Sequence, residues 1–238
     1  SEALIVGLDV TGSMGEVVEG LHKNLPALMR TLHAIRGLQD MQILFMAVGD
    51  ARHDQVPFQI SQFESDNRID DCLAATVIEG GGGSFGQESY EIALYAAARL
   101  TSIDCFEKRK KKGYLFLIGD ELPYAYVSSS AIARIFGHRA GQDIPFEEIL
   151  TEAQEKYEVF FIIPVGSSGA GRPDIREFWQ KALGTQHVIT LSKPELLAST
   201  IAGAVRTNVV ISAIGGTTTP SVVDDNDDED DDTDLNGL

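Results

Sequence analysis

Residues 3–14 read Ala-Leu-Ile-Val-Gly-Leu-Asp-Val-Thr-Gly-Ser-Met, and they carry the strongest indication of the fold. Its short apolar run, broken only by one glycine, is typical of a strand that is buried on both faces of a parallel sheet. An amphipathic helical pattern begins a few residues later, with apolar residues at steps of three and four over residues 17–35. A buried strand that leads directly into a helix predicts an α/β fold built from β-α-β units.

The same alternation of short apolar runs and helical-period segments continues along the chain. Residues 57–63 alternate polar and apolar and follow the preceding strand too closely for a crossover helix, which predicts an antiparallel edge strand. We therefore predict a doubly wound, mostly parallel six-stranded sheet with helices on both faces. The predicted strands cover residues 3–9, 42–49, 57–63, 114–119, 159–165 and 187–191. The predicted helices cover residues 17–35, 66–77, 87–102, 129–136, 146–157, 174–183 and 194–208.

Length and charge bound the domain organisation. The chain has 238 residues, of which 43% are apolar, enough for one domain with a sizeable core. The net charge of -17 disfavours nucleic-acid binding, because the field repels polyanions. Nine of the 36 acidic residues lie in residues 224–234, so the rest of the chain has 27 acidic against 19 basic residues, or -8. We predict a domain over residues 1–212 and a flexible linker with a disordered acidic tail over residues 213–238.

Cysteine content and hydropathy indicate a cellular location. Two cysteines, Cys72 and Cys105, are too few for a disulfide scaffold or a zinc cluster, which favours a reducing compartment. No run approaches eighteen consecutive apolar residues, and no basic segment precedes the first strand, so neither a membrane span nor a signal peptide is expected. The sequence predicts a cytoplasmic protein. Its start without Met, close to the first strand, is typical of a piece cut from a longer protein.

Candidate ligand residues follow three predicted elements. Asp9, Thr11 and Ser13 come after the first strand, Ser84 lies in the glycine-rich residues 80–86, and Asp120 directly follows the strand at residues 114–119. In an open α/β sheet, ligands bind beyond the carboxyl ends of the strands, so we expect these side chains to converge. Carboxylates and hydroxyls are hard oxygen ligands that suit Mg²⁺ or Mn²⁺ better than zinc.

The order of these motifs resembles the von Willebrand factor A (vWA) domain with its metal-ion-dependent adhesion site, and in particular the intracellular members of that family. The resemblance extends over residues 1 to about 210. It implies that Asp9, Thr11 and Ser13 fill the positions of the family's Asp-x-Ser-x-Ser motif, with Thr for the first Ser, and that Asp120 is the family's distal Asp. The glycine-rich loop holds no Thr, so Ser84 takes the place of the family's Thr ligand. Thr76 and Glu88 are the rivals for that place.

The resemblance also implies a function. Members of the family use the bound cation to take up a Glu or Asp supplied by a protein partner, and catalysis is not implied. Intracellular members often serve AAA+ ATPases or other multi-subunit complexes. The expectation is therefore a cytoplasmic, metal-dependent protein-interaction module that binds neither nucleic acid nor a membrane.

Other interpretations compete with this one. Asp9 followed by Gly12 and Ser13, together with a later Gly119-Asp120 pair, also resembles a haloacid-dehalogenase phosphotransferase, in which Asp9 would be the nucleophile. Against it, the predicted helix follows Asp9 within a few residues, whereas those enzymes insert a turn and a hairpin there. They also need a Lys near the carboxyl edge of the sheet, but the basic run at residues 108–112 precedes a strand and so lies at the opposite edge. A third possibility is an interaction scaffold with a vestigial metal site, in which Asp9 only caps a helix.

Overall fold

The computed structural model describes residues 1–35, 40–66, 68–78, 86–139 and 141–213. Its main sheet has six strands: β1 (Glu2–Asp9), β2 (Met41–Val48), β3 (Phe58–Ile60), β5 (Gly113–Ile118), β9 (Tyr157–Pro164) and β10 (Val188–Leu191). Their order in the sheet is β10-β9-β5-β1-β2-β3, and every neighbouring pair is parallel except the antiparallel pair of β2 and β3. Two small two-stranded ladders pair β4 (Gln87–Glu88) with β6 (Leu122–Pro123) and β7 (Tyr126–Val127) with β8 (Ile144–Pro145).

Helices pack on both faces of the main sheet. Their bounds are α1 (Glu16–Asn24), α2 (Pro26–His33), α3 (Arg68–Ala74), α4 (Tyr90–Tyr95), α5 (Asp104–Arg109), α6 (Ser129–Phe136), α7 (Phe146–Lys156), α8 (Pro173–Leu183) and α9 (Leu197–Ala213). A π-type turn at Ala96–Leu100 extends α4. The predicted fold class is therefore confirmed, including the antiparallel edge strand.

Side chains alternate between two cores because successive residues of a strand point to opposite faces. In β1, Ile5 belongs to the core under α4, α7 and α8, whereas Leu4 and Val6 belong to the core under α1, α2 and α9. This burial on both faces explains the unbroken apolar runs in the sequence. Because β1, β2, β5 and β9 pair in parallel, their carboxyl ends lie at one edge of the sheet.

Some predicted elements have different bounds. The helix predicted at residues 17–35 is two helices, because Pro26 has no backbone N–H to donate and starts a new helix at its first position. The helix predicted at residues 87–102 begins only at Tyr90, since Gln87 and Glu88 pair with β6. Helix α5, which carries part of the basic run, was not predicted. The acidic tail, residues 214–238, lies outside the described residues.

Candidate metal site at the carboxyl edge of the sheet

The loop after β1 brings its three polar residues into one hydrogen-bonded chain. Asp9 Oδ1 accepts bonds from the Thr11 backbone N at 2.9 Å and from Thr11 Oγ1 at 2.5 Å. Thr11 Oγ1 lies 3.2 Å from Ser13 Oγ. The turn Gly12–Met14 is one turn of 3-10 helix, which orients these side chains toward one another before α1 begins. Three of the predicted ligands therefore contact one another within five consecutive residues.

Asp120 joins this chain from the end of β5. Ser13 Oγ donates a bond of 2.8 Å to Asp120 Oδ1, and the Gly169 backbone N donates one of 2.7 Å to Asp120 Oδ2. Gly169 must be glycine, because a Cβ there would collide with the backbone carbonyl of Asp120. On the next residue, the Glu121 backbone O accepts a bond of 3.1 Å from Trp179 Nε1. The loop that carries Asp120 is therefore held by the segment after β9 and by α8.

Tyr90 is a site residue that the sequence analysis missed. Its hydroxyl donates a bond of 2.5 Å to Asp9 Oδ2, and its ring is fully buried against Phe161 and Trp179. Gly119 leaves the space for this hydroxyl, since a Cβ at that position would overlap it. In the sequence, a tyrosine at the start of α4 is indistinguishable from an ordinary core residue, so no local pattern indicated that its hydroxyl contacts Asp9.

Glu88 also reaches the site. It is only 1% exposed, and its Oε2 has no hydrogen-bond partner among the described residues. Burial raises its pKa to about 10, and among the neighbouring charges that raise it further, Asp9 is the strongest. Glu121 is similar: its Oε2 is buried and has no partner in the described part of the chain, and burial followed by Asp9 and Asp120 raises its pKa to about 7.

Of Ser84, Thr76 and Glu88, the three candidates for the ligand from the glycine-rich region, Glu88 lies near enough to Asp9 for the Asp9 charge to raise its pKa. Ser84 lies outside the described residues. Thr76 lies elsewhere: its hydroxyl donates to the Cys72 carbonyl, and it lines a small cavity with Gln59 and Ile60 beside the edge strand.

Electrostatics at this edge favour an added positive charge. Asp9 and Asp120 are fully buried. Burial raises the pKa of Asp9 to about 6 despite the hydrogen bonds from Thr11 and Tyr90, and the nearby Asp120 contributes in the same direction. Removing carboxylates from water costs free energy that a bound cation offsets. In the cluster formed by Asp9, Asp120, Glu88 and Glu121, burial first and the neighbouring carboxylates second raise the pKa values of Asp9, Glu88 and Glu121, and a bound cation would favour their ionised forms.

The donor set at this edge fits a hard divalent cation. Asp9, Thr11, Ser13 and Asp120 supply carboxylate and hydroxyl oxygens that already lie within hydrogen-bond distance of one another. Within the described ranges, no group of three or more His, Cys, Asp or Glu side chains is arranged to hold a metal ion. The candidate site does not depend on such a group, because two of its four ligands are hydroxyls.

Fold and site together define an open α/β sheet protein with a carboxylate–hydroxyl cluster at the carboxyl edge of its central strands. Comparison with solved structures finds similar folds at low sequence identity. The pilus adhesin SpaC from Lactobacillus rhamnosus GG superposes with a TM-score of 0.61 and 11% identity, covering 87% of this chain and 30% of the adhesin. Proximal thread matrix protein 1 from the mussel byssus gives 0.52 and 13%, covering 86% of this chain and 47% of the matrix protein.

These comparisons support the fold alone. The chain spans less than half the length of either protein. No protein-family model and no curated protein sequence matches it. Within the described ranges, no helix has the length and apolar character to cross a membrane.

Proposed function

We propose that this chain is a metal-dependent protein-interaction module of the vWA type, which binds a carboxylate of a protein partner through Mg²⁺ or Mn²⁺. Asp9, Thr11, Ser13 and Asp120 would hold the cation. The observation that carries the proposal is the continuous hydrogen-bonded chain from Asp9 through Thr11 and Ser13 to Asp120, which joins the ends of two adjacent parallel strands.

The protein positions both carboxylates from behind. Tyr90 holds one oxygen of Asp9, and the Gly169 N–H holds one oxygen of Asp120, so neither side chain can rotate freely away from the site. When bound, the cation supplies an electron-poor coordination position that an incoming carboxylate can fill. Rigid ligands reduce the entropy that binding must overcome.

The proposal extends to the setting of the protein. A cytoplasmic location and a partner within an AAA+ ATPase or another multi-subunit complex rest on the family resemblance. The proposal that the chain is not an enzyme rests on the same resemblance, which implies no catalysis.

The alternative to an interaction module is an enzyme, a haloacid-dehalogenase phosphotransferase. In that mechanism, Asp9 must attack a phosphoryl group with one free oxygen. Here Asp9 Oδ1 accepts two bonds from Thr11 and Oδ2 accepts one from Tyr90. The basic run also lies at the amino edge, where Lys111 pairs with Glu2. A phosphatase assay with a generic phosphate ester separates the two functions.

Calorimetry on the full chain tests the proposal. Mg²⁺ is titrated into the metal-free protein, followed by a synthetic peptide that carries one Asp among glycines. We expect weak Mg²⁺ binding and peptide binding that EDTA abolishes. Asp9→Asn and Asp120→Asn should each remove both, whereas Asp104→Asn, on α5 at the opposite edge, should remove neither. Peptide binding that persists in EDTA would instead support a scaffold with a vestigial metal site.

A further inference from the structure

A cavity lined by both polar and apolar residues lies on the side of α4 and α6. Its volume is about 450 Å³. The loop after β2 contributes Arg52, the start of α4 contributes Ser89, and α6 contributes Arg134. Ser89 follows Glu88 directly and accepts a bond of 2.8 Å from the Ala51 backbone N. The cavity therefore begins one residue along the chain from Glu88, the buried acid whose pKa the Asp9 charge raises.

Two arginines in this cavity are positioned by uncharged groups. The Arg52 guanidinium carbon lies 3.8 Å from the centre of the Tyr124 ring, and Arg134 Nη2 donates to the Ala51 carbonyl. Neither forms an ion pair with a carboxylate of the described residues. An acidic partner lies within ion-pair distance of four arginines elsewhere in the fold, Arg68, Arg99, Arg109 and Arg172, whereas Arg176 donates to the Thr190 hydroxyl.

The acidic groups around the cavity are already engaged. Glu91 is buried, accepts a bond from the Tyr124 backbone N at 3.3 Å, and has its pKa raised by burial to about 8. Asp50 is fully buried and accepts bonds from the Tyr124 hydroxyl and from the backbone N of Arg52. Asp143, on the rim, accepts two bonds from Ser129. The guanidinium groups of Arg52 and Arg134 thus retain donors for a ligand.

We propose that this cavity binds a second acidic side chain of the same partner segment whose first carboxylate binds the metal. Exposed guanidinium groups bind carboxylates through charge-assisted hydrogen bonds, and a cavity of this size takes an Asp or Glu side chain with its neighbours. The preferred partner is therefore an acidic segment, and not a single isolated carboxylate. This inference rests on the proposed function, because the metal provides the first point of attachment.

The inference is tested by calorimetry on the full chain in Mg²⁺ at physiological salt, with hexa-aspartate and with the peptide that carries one Asp among glycines. Arg52→Gln and Arg134→Gln should each weaken hexa-aspartate binding by about tenfold, the value of one hydrogen bond to a charged group. Both variants should bind the single-Asp peptide within about twofold of the wild type. Arg134→Lys, which keeps the charge, should restore most of the lost affinity.

The matched control is Arg206→Gln, which removes an exposed charge from α9 on the other face of the sheet. It should change neither affinity. If the cavity variants weaken both peptides equally, or if Arg206→Gln has the same effect, only the general field of the protein is involved and the inference is wrong. If they leave hexa-aspartate binding unchanged but abolish binding of inorganic phosphate, the cavity is a small-anion site. Failure of Asp9→Asn to affect the single-Asp peptide would overturn the proposed function itself.

Discussion

Ser13 Oγ donates a hydrogen bond of 2.8 Å to Asp120 Oδ1, joining residues that are 107 positions apart in the chain. The bond exists because β1 and β5 are parallel neighbours, with Leu8 paired to Ile118, so the residues that follow them meet at the same edge. A cation at this place would replace a hydrogen bond between two of its ligands. Metal binding should therefore have consequences for stability that can be measured.

Mg²⁺ should raise the thermal stability of the full chain. Ligand that binds only the folded state stabilises it by RT ln(1 + [L]/Kd), about 1 to 3 kcal/mol at tens to a hundred times Kd. Relief of repulsion between Asp9 and Asp120 is part of this gain. Differential scanning calorimetry at increasing Mg²⁺ measures it. Asp9→Asn is the control and should show no rise. If millimolar Mg²⁺ leaves the melting temperature of the wild type unchanged, the metal assignment is contradicted.

Glu88→Gln should weaken Mg²⁺ binding by up to about tenfold. With a pKa of about 10, Glu88 holds a proton in the metal-free protein at neutral pH, and a cation near Asp9 favours loss of that proton, which leaves a carboxylate that attracts the cation even without direct contact. The matched control is Glu91→Gln. Glu91 is also buried with a raised pKa, but Asp9 is not among the charges that shift it. Titration calorimetry compares the two variants at one pH. Equal losses in both would assign the effect to burial of any acid near this edge.

Glu91 should make the metal-free protein less stable as pH rises. Its folded-state pKa, about 8, lies above the ordinary value of 4.5, so the folded state binds more protons than the unfolded state between these values. Its contribution to the free energy of unfolding is complete below pH 4.5 and is lost as pH rises through 8. The free energy of unfolding falls by at most about 1.4 kcal/mol per pH unit for this one group. Urea unfolding of Glu91→Gln and wild type from pH 5 to 8 measures the difference, which should grow in favour of the variant. A constant difference would show that Glu91 stays ionised.

Deletion of residues 215–238 tests whether the acidic tail competes for the metal. The described residues end with α9, which packs along α2. With its 17 residues, this helix is about 25 Å long and runs away from the carboxyl edge. We therefore expect deletion to increase acidic-peptide affinity at low salt only, by removing repulsion, and to have no effect at high salt. A gain that persists at high salt and disappears in Asp9→Asn would identify the tail as a competing ligand in cis.

The sequence was enough to predict the fold class and the order along the chain of the six strands of the main sheet, whereas the helix α5 and the four short strands of the small ladders were not foreseen. It also singled out Asp9, Thr11, Ser13 and Asp120 as candidate ligands. Apolar periodicity reports burial directly, and the carboxyl ends of parallel strands must lie at one edge. Local patterns also predicted the antiparallel edge strand, since its short connection leaves no room for a crossover. The same rules could have predicted the end of α1 before Pro26, because proline has no backbone N–H to donate within a helix.

Only the tertiary structure decided which further residues belong to the site. Tyr90 and Gly169 contact Asp9 and Asp120 through packing of α4 and of the segment after β9, which no local pattern encodes. The burial of Glu88 and the arginine pair of the cavity beside α4 and α6 depend likewise on residues far apart in sequence. Periodicity records whether a side chain faces the core. It does not record which polar group from another element that side chain will meet there.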